Sequence, residues 1–192
     1  YDADRPIHVS GNNEARIIGN IVHDTVGIGQ AIRARSSSVV YVLNNTVHNA
    51  GECLKGEINT VMHLANNIAQ NCSSTHATTL TTGSTANNNL WFQPGGAVST
   101  SLNGGCSGCL IADPMFITSP TNLHLQTGSP AIDAATNALA SQDLVFKSIF
   151  GNDVTILRDH DNISRPQGTA RALRTGAGQA SRASCQAGRA GP

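Results

Sequence analysis

The chain is poor in charged and aromatic residues, and these two shortages exclude several classes of protein. Charged residues make up 12% of the 192 positions, and twelve Lys and Arg balance twelve Asp and Glu. No global field of one sign therefore attracts nucleic acid or a membrane surface. Aromatic residues make up only 4%, too few for a large conventional globular core. No apolar run reaches about 18 residues, so the sequence predicts no membrane span.

Familiar catalytic and targeting motifs are also missing. The chain has no GxSxG, HExxH, Walker or GxGxxG motif, which removes the sequence evidence for the hydrolase, metalloprotease and nucleotide-binding classes that these motifs mark. No basic-then-apolar leader follows Tyr1, so a signal peptide is predicted to be absent or removed. Because the repeats begin close to Tyr1, we expect a mature or truncated product that lost earlier repeats.

What the chain does have is one short pattern that recurs four times, at residues 18–24, 43–49, 65–71 and 87–93. Each copy contains an asparagine at the same place, and these four are spaced 25, 22 and 22 residues apart: Asn20, Asn45, Asn67 and Asn89. A fixed period in this range indicates a solenoid, in which each repeat buries its apolar side by stacking on its neighbours. Asparagines at one corner of every coil can form a hydrogen-bonded ladder.

Apolar residues around each ladder asparagine alternate with the period of a β-strand. The predicted inward positions lie three residues before and two after it, at Ile17, Val42, Leu64, Ala86, Val22, Val47, Ala69 and Trp91. Two further inward columns are predicted at Ile7, Ile32, Leu54 and His76, and at Val9, Ala34, Gly56 and Thr78. Three short strands per coil predict an all-β fold, a right-handed parallel β-helix of about four coils of 22–25 residues. The longer first interval is assigned to a larger corner loop at residues 25–29.

The second half of the chain resembles a known family. The resemblance lies in four segments: residues 111–116, residues 122–126, the Gly-Ser-Pro-Ala-Ile-Asp-Ala run at 128–134, and residues 159–168. These segments resemble the C-terminal region of secreted bacterial right-handed parallel β-helix proteins of the pectate-lyase-like or choice-of-anchor Q type. The repeat places the coils over residues 1–97. The resemblance implies that the chain from about residue 110 onward, in a terminal coil and cap region over 98–168, completes and caps the helix end. It also implies a secreted or cell-surface protein.

The final segment departs from that family. Residues 169–192 are rich in Ala, Arg and Gly without periodicity, and such a segment is predicted to be disordered because it cannot bury enough apolar surface. A changed reading frame and a natural basic tail both remain open as its origin.

Five cysteines leave several interpretations open. Cys53 and Cys72 are predicted in loops that close successive coils, where a disulfide between them is plausible. Cys106 and Cys109 have CxxC spacing, but zinc is weakly supported without a second pair, and no βαβ pattern supports a redox site. Structural disulfides are the favoured interpretation, with Cys53, Cys72, Cys106 and Cys109 as candidates, and free buried thiols are the alternative. Disulfides favour an oxidising extracellular or periplasmic setting.

The leading catalytic candidates are charged residues predicted to point outward in two adjacent columns of one flat face. The columns hold His8, Arg33, Lys55 and Ala77, and Ser10, Arg35, Glu57 and Thr79. Neighbouring cations about 5 Å apart repel by about 1 kcal/mol in water, which Glu57 or an anionic ligand would offset. In a β-eliminating polysaccharide lyase, Arg33 or Arg35 would clamp the uronate carboxylate, and Lys55 would act as base. Glu57 could instead join a Ca²⁺ site. The alternative is an exposed strand with mutually compensating charges.

Two other outward columns are weaker candidates. Arg16, Tyr41 and His63, with His8 on the neighbouring face, could form a substrate-binding or sugar-stacking patch. His23 and His48, followed in their column by Gln70 and Phe92, could bind a metal near Asp24. Asp159 and Asp161 have spacing that can ligate Ca²⁺, although a turn stabilised by Arg165 is favoured.

The function predicted from the sequence is therefore interaction with an extracellular polysaccharide, with lyase-like action on acidic glycans as its enzymatic form. Parallel β-helix lyases use such a strand face, which is an analogy of fold only. The alternative is a non-catalytic surface, adhesion or scaffold module. The sequence predicts no nucleic acid partner and no resident cofactor beyond a possible Ca²⁺. It does not indicate an oligomeric state.

Overall fold

A computed structural model describes residues 5–11, 14–25, 29–36 and 39–136 as a stack of parallel coils. These residues form fourteen strands and no helix, so none of them belongs to a helix that could cross a membrane. The coils present three faces. The first face contains β1 (Ile7–Ser10), β4 (Gln30–Arg35), β11 (Thr100–Leu102) and the second halves of β6 (Thr46–Gly56) and β8 (Ile68–Thr79). The second contains β2 (Glu14–Ile18), β5 (Val39–Leu43), β7 (Val61–Ala65) and β9 (Thr85–Asn87). The third contains β3 (Ile21–His23), β10 (Leu90–Phe92), β12 (Leu110–Ile111) and the first halves of β6 and β8.

The predicted parallel solenoid of about four coils is confirmed, and β11 and β12 extend the stack beyond the fourth coil. Every pairing between coils is parallel and joins residues about one repeat apart, as in Tyr41 with His63 and Leu90 with Ile68. Paired residues of the first two coils are 25 positions apart in the sequence at His23 and His48, but 22 positions apart at Gln30 and Glu52. The three extra residues of the first interval therefore lie between His23 and Gln30, as predicted.

The asparagine ladder (Asn20, Asn45, Asn67 and Asn89) is confirmed. Each side-chain Nδ2 donates to the Oδ1 of the next asparagine, at 3.0, 3.0 and 2.8 Å along the stack. The backbone N–H of the same donor residue reaches the same oxygen at 2.9, 3.0 and 2.9 Å. The ladder therefore satisfies backbone donors that face the next coil at a corner, where the strand pairing is interrupted.

The residue before each ladder asparagine explains why the corner accepts so few residue types. Its φ is positive in all four cases: 71° at Gly19, 56° at Asn44, 58° at Asn66 and 48° at Asn88. Gly108, before Cys109 at the same corner of the next turn, has a φ of 65°. Glycine has no Cβ penalty in this region, and asparagine tolerates it better than most residues. The Asn-Asn pairs of the repeat thus combine a left-handed corner with a ladder residue.

The interior matches the predicted columns except at two positions. Ala77, predicted to point outward, belongs to the buried apolar cluster in place of His76, and Thr78, predicted to point inward, pairs with the outward Lys55. The eight residues flanking the ladder are all buried, from Val42 and Leu64 at 0% exposure to Val22 at 7%. In the fourth coil, however, a register shift in the β6–β8 pairing between Ala50 and Glu52 adds one residue to β8. Leu54 therefore pairs with Ala77 and Lys55 with Thr78, rather than with His76 and Ala77 as predicted.

Residues 113–136 fold back along the outside of the third face. The predicted cap over 98–168 stays a prediction, because its residues 137–168 lie outside the described part of the chain. A short antiparallel pair, β13 (Phe116–Thr118) and β14 (Asn122–Leu125), places Phe116 and Leu123 in one apolar cluster with Ile68 and Leu90. The side chain of Asn66 donates to the Thr136 carbonyl and accepts the Thr136 N–H, both at 2.8 Å. We call residues 113–136 the lateral cover.

The prediction that His48 and Gln70 are exposed in an outward column is wrong. Both residues are buried, at 8% and 9% exposure. Ser119 hydrogen-bonds to His48 Nε2, and the Phe116 ring meets the His48 ring edge-on at 6.4 Å between centroids. At His48 and Gln70 the sheet of the third face is thus buried on both sides, whereas His23 in the same column is exposed.

Two disulfides are present, Cys53–Cys72 and Cys106–Cys109. The pairing of Cys53 with Cys72 agrees with the prediction, but the predicted location in loops is wrong. Both residues lie within long strands, β6 and β8, and belong to the main apolar cluster at 0% and 3% exposure. The predicted tail at 169–192 and the segment with Asp159, Asp161 and Arg165 lie outside the described residues.

Candidate functional site

The charged candidates lie together on the first face, as the predicted columns require. His8 pairs with Arg33, and Arg33 pairs with Lys55, in successive coils. Arg35 lies opposite Ser10, two residues further along the same strand, β4. Parallel strands in neighbouring coils are about 4.8 Å apart, so these side chains share one flat surface.

Glu57 is placed between the two arginines of β4. Arg33 Nε donates to Glu57 Oε1 at 2.9 Å, and Arg33 Nη2 contacts the same oxygen. Arg35 Nε lies 3.7 Å from Glu57 Oε2. The side chain of Arg33 is only 12% exposed, whereas that of Arg35 is 49% exposed. The predicted offset of arginine repulsion by Glu57 is therefore present, and Arg35 is the more accessible of the two guanidinium groups.

Glu52 is the acidic residue that the sequence reasoning did not assign to this face. Lys55 Nζ donates to Glu52 Oε1 at 2.6 Å, and Gln30 donates to the other carboxylate oxygen. Arg5 Nε in turn donates to Gln30 Oε1 at 3.2 Å. Burial would raise the pKa of Glu52, but hydrogen bonds from Lys55 and Gln30 and the nearby positive charges lower it overall. Two sequence signals could have identified Glu52: its spacing of three residues from Lys55 and of one repeat from Gln30.

Basic residues are concentrated on the first face although the whole chain is neutral. Of the five Lys and Arg residues in the described ranges, four line this face or its edge, and of the six described acidic residues only Glu52 and Glu57 do. Four positive and two negative charges leave a formal surplus of two positive charges. We call Arg5, Arg33, Arg35, Lys55, Glu52 and Glu57 the basic face.

Arg16, Tyr41 and His63 pair in register on the second face, as predicted, but their side chains stack on one another. The Arg16 guanidinium carbon lies 5.4 Å from the Tyr41 ring centroid, on the next coil down. The Tyr41 and His63 rings stack at 5.0 Å between centroids, with 25° between their planes. His63 Nδ1 also hydrogen-bonds to Thr85 Oγ1 at 2.9 Å, and burial lowers the pKa of His63. Because neighbours on both adjacent coils contact Tyr41, its ring faces are poorly placed to stack on a sugar.

A second polar ladder, which the sequence reasoning missed, runs along the corner after the third face. Asn49 Nδ2 donates to Asp24 Oδ1 at 2.6 Å, Asn71 Nδ2 to Asn49 Oδ1 at 3.2 Å, and Gln93 Nε2 to Asn71 Oδ1 at 3.3 Å. Hydrogen bonds from Asn49 and His23 lower the pKa of Asp24. These residues are the last of each aligned repeat, so the alignment that revealed the first ladder also contained the second.

At the proposed metal site, His23 contacts Asp24, and one ring nitrogen of His48 is bonded to the lateral cover. His23 Nδ1 lies 3.1 Å from Asp24 Oδ2, and His48 Nε2 is bonded to Ser119 of the lateral cover. Burial is the main cause of a lowered pKa at His48. Within the described ranges, no group of three or more His, Cys, Asp or Glu residues could hold a metal ion. The charged groups of the basic face remain the best candidate for function.

Comparison with known proteins assigns no identity to this arrangement. No protein-family model matches the chain, and no curated protein and no solved structure matches it significantly. The geometry and chemistry of the described residues are therefore the basis for a functional proposal.

Proposed function

We propose that the chain binds an anionic extracellular polysaccharide along the basic face. The observation that carries this proposal is the concentration of four of the five described basic residues on one flat face of a neutral chain. A linear polyanion that crosses the coils would meet Arg35 and Lys55 on neighbouring coils, and Arg5 extends the positive edge beside Gln30. Guanidinium groups suit this role because they can hold a carboxylate through two parallel hydrogen bonds.

The rigid backbone supports binding of an extended ligand. The strands of this face are fixed in register by pairing with both neighbouring coils, so the charged groups are positioned before a ligand arrives. The two disulfides fit an oxidising compartment, which agrees with the proposed secreted or cell-surface location. The resemblance of the C-terminal segment to secreted β-helix proteins supports the same setting.

Binding is favoured over lyase chemistry by the state of the candidate catalytic groups. β-Elimination needs a cation for the uronate carboxylate and a base for the C5 proton. Here the Lys55 ammonium donates to Glu52, and Arg33 is held by Glu57. A catalytic cycle would have to break the first of these pairs before Lys55 could accept a proton. Lyase activity and a purely structural or adhesive role stay as the competing hypotheses.

The test is a binding isotherm for polygalacturonate and alginate, with neutral dextran as the ligand control, over a series of salt concentrations. We expect binding of the acidic glycans that weakens as salt screens the surface charges. Arg35→Ala should weaken it about tenfold, the equivalent of about 1.4 kcal/mol. The matched control is Arg16→Ala, which removes the one described arginine that lies on the second face and should leave affinity unchanged.

Each competing hypothesis has its own outcome. Salt-insensitive binding, or an equal loss in Arg35→Ala and Arg16→Ala, would contradict the assignment to the basic face. Equal binding of a nucleic acid of the same charge density would show a general polyanion surface. Release of unsaturated uronate, followed by its ultraviolet absorbance and abolished by Lys55→Ala, would establish the lyase.

A further inference from the structure

The asparagine ladder has a direction, because every amide donates towards the later coil. The N–H groups of Asn20 point to Asn45, those of Asn45 to Asn67, and those of Asn67 to Asn89. Aligned hydrogen bonds polarise one another. The end of the ladder at Asn89 therefore presents donors with no further asparagine to receive them, much as the start of a helix presents N–H groups.

A sulfur atom takes the place of the next asparagine oxygen. Pairing of Leu90 with Leu110 puts Cys109 opposite Asn89, at the ladder position of the last turn. The Asn89 backbone N–H donates to Cys109 Sγ at 3.3 Å. Asn89 Nδ2 lies 3.8 Å from Cys109 Sγ and 3.9 Å from Cys106 Sγ, and Asn89 itself is fully buried. The donors that each earlier coil directs at an amide oxygen are here directed at a disulfide.

The two disulfides differ in accessibility. Cys53 and Cys72 are buried among the apolar residues of the coil interior. Cys106 and Cys109 are half-buried, and Ser107 and Gly108 between them are exposed. A thiol in solution can approach the second pair while the coils remain folded, but it cannot approach the first.

We propose that Cys106–Cys109 is a thiol–disulfide exchange site for low-molecular-weight thiols and disulfides, with Cys109 as the leaving group stabilised by the end of the asparagine ladder. A thiolate attacks Cys106 Sγ, forms a mixed disulfide and breaks the Cys106–Cys109 bond, so the electron pair leaves on Cys109 Sγ. A second thiolate attacks the external sulfur of the mixed disulfide, releases Cys106 as a thiolate that takes up a proton, and completes formation of the external disulfide. In the reverse direction, the Cys106 thiolate attacks an external disulfide and releases one external thiolate. The Cys109 thiolate then attacks Cys106 Sγ and releases the second, so the external disulfide is reduced to two thiols.

The chemical reason for this assignment is the stabilisation of negative charge. Hydrogen bonds to a charged acceptor are about twice as strong as those between neutral groups. The Asn89 donors therefore favour the thiolate form of Cys109 over its thiol form. A better leaving group is displaced faster, so exchange at Cys106 is expected to be quicker than at an ordinary disulfide of equal exposure.

The first experiment uses the full chain with Cys185→Ser, which removes the fifth cysteine. The protein is equilibrated in glutathione buffers of graded potential, alkylated, and its cysteine peptides are quantified by mass spectrometry. We expect Cys106–Cys109 to be reduced while the circular dichroism of the folded protein is retained and Cys53–Cys72 stays oxidised. Reduction of both disulfides only together with loss of the folded signal would overturn the proposal.

The second experiment compares two variants that each retain one cysteine of the pair. In the Cys185→Ser background, Cys106→Ser leaves Cys109 and Cys109→Ser leaves Cys106, and the rate of alkylation of each is measured against pH. The midpoint for Cys109 should lie at lower pH than that for Cys106, and Cys109→Ser should trap glutathione on Cys106. Equal midpoints, or a lower midpoint for Cys106, would show that the ladder does not activate Cys109.

Discussion

Truncation of an interior ladder residue, Asn67→Ala, should cost far more stability than its single side chain suggests. Asn67 is fully buried. Its Oδ1 accepts both the backbone N–H and the side-chain amide of Asn45 at 3.0 Å, and its Nδ2 donates to Asn89 Oδ1 and to the Val42 carbonyl at 2.8 Å. Alanine removes all four bonds at once and offers no replacement.

The magnitude follows from the groups left behind on the neighbouring coil. The Asn45 N–H loses its ladder acceptor, and the Val42 carbonyl loses its side-chain donor. A buried polar group left unsatisfied costs about 1–3 kcal/mol, so two of them predict a loss of about 2–6 kcal/mol. Because domains of this size are stable by only about 5–15 kcal/mol, this loss is a large fraction of the free energy of unfolding.

The assay is urea unfolding followed by the fluorescence of Trp91, the single tryptophan, which is 2% exposed in the folded chain. The matched control is Asn20→Ala at the partly exposed end of the ladder. Asn45 Oδ1 still accepts the residue 20 backbone N–H there, so the expected loss is about 1 kcal/mol. Equal losses in the two variants would refute the argument that burial and coil position set the energy of each ladder asparagine.

Two further predictions concern packing and acidity. Gly56→Ala should destabilise the chain by about 1–3 kcal/mol in the same unfolding assay, because the added Cβ would lie 2.9 Å from Met62 Sδ and 3.1 Å from the Thr78 carbonyl oxygen; an unchanged urea midpoint would contradict this contact. Stability should also fall as pH decreases below about 6.5, the pKa of an unperturbed histidine. Burial lowers the pKa of His76 against the raising effect of its backbone hydrogen bonds with Phe92 and Ser99, so the unfolded state binds the proton first and is favoured by acid. Thermal unfolding across this pH range should show a weaker pH dependence in His76→Gln, and an identical dependence would rule out His76 as a source.

The sequence determined the coil architecture because a solenoid repeats the same local environment. Each ladder asparagine meets its equivalent one repeat away, so periodicity alone identified Asn20, Asn45, Asn67 and Asn89 and the inward columns around them. The same logic placed Arg33 beside Lys55 and Tyr41 beside His63. The prediction from periodicity failed first at the register shift after Ala50, where the repeat length changes inside one coil. One added residue there moves every later pairing partner by one position.

The tertiary structure decided which surfaces are exposed and which charges are paired. The lateral cover joins residues about 70 positions apart, as at Ser119 and His48, and no repeat encodes that contact. The adjacent apolar residues after three of the four ladder asparagines, such as Ile68 and Ala69, did carry a signal for a face buried on both sides. Side-chain conformation then paired Lys55 with Glu52 of the same strand, and Glu57 with the arginines of the neighbouring coil. Periodicity fixes position along a stack, whereas exposure and pairing depend on what packs against the stack from outside.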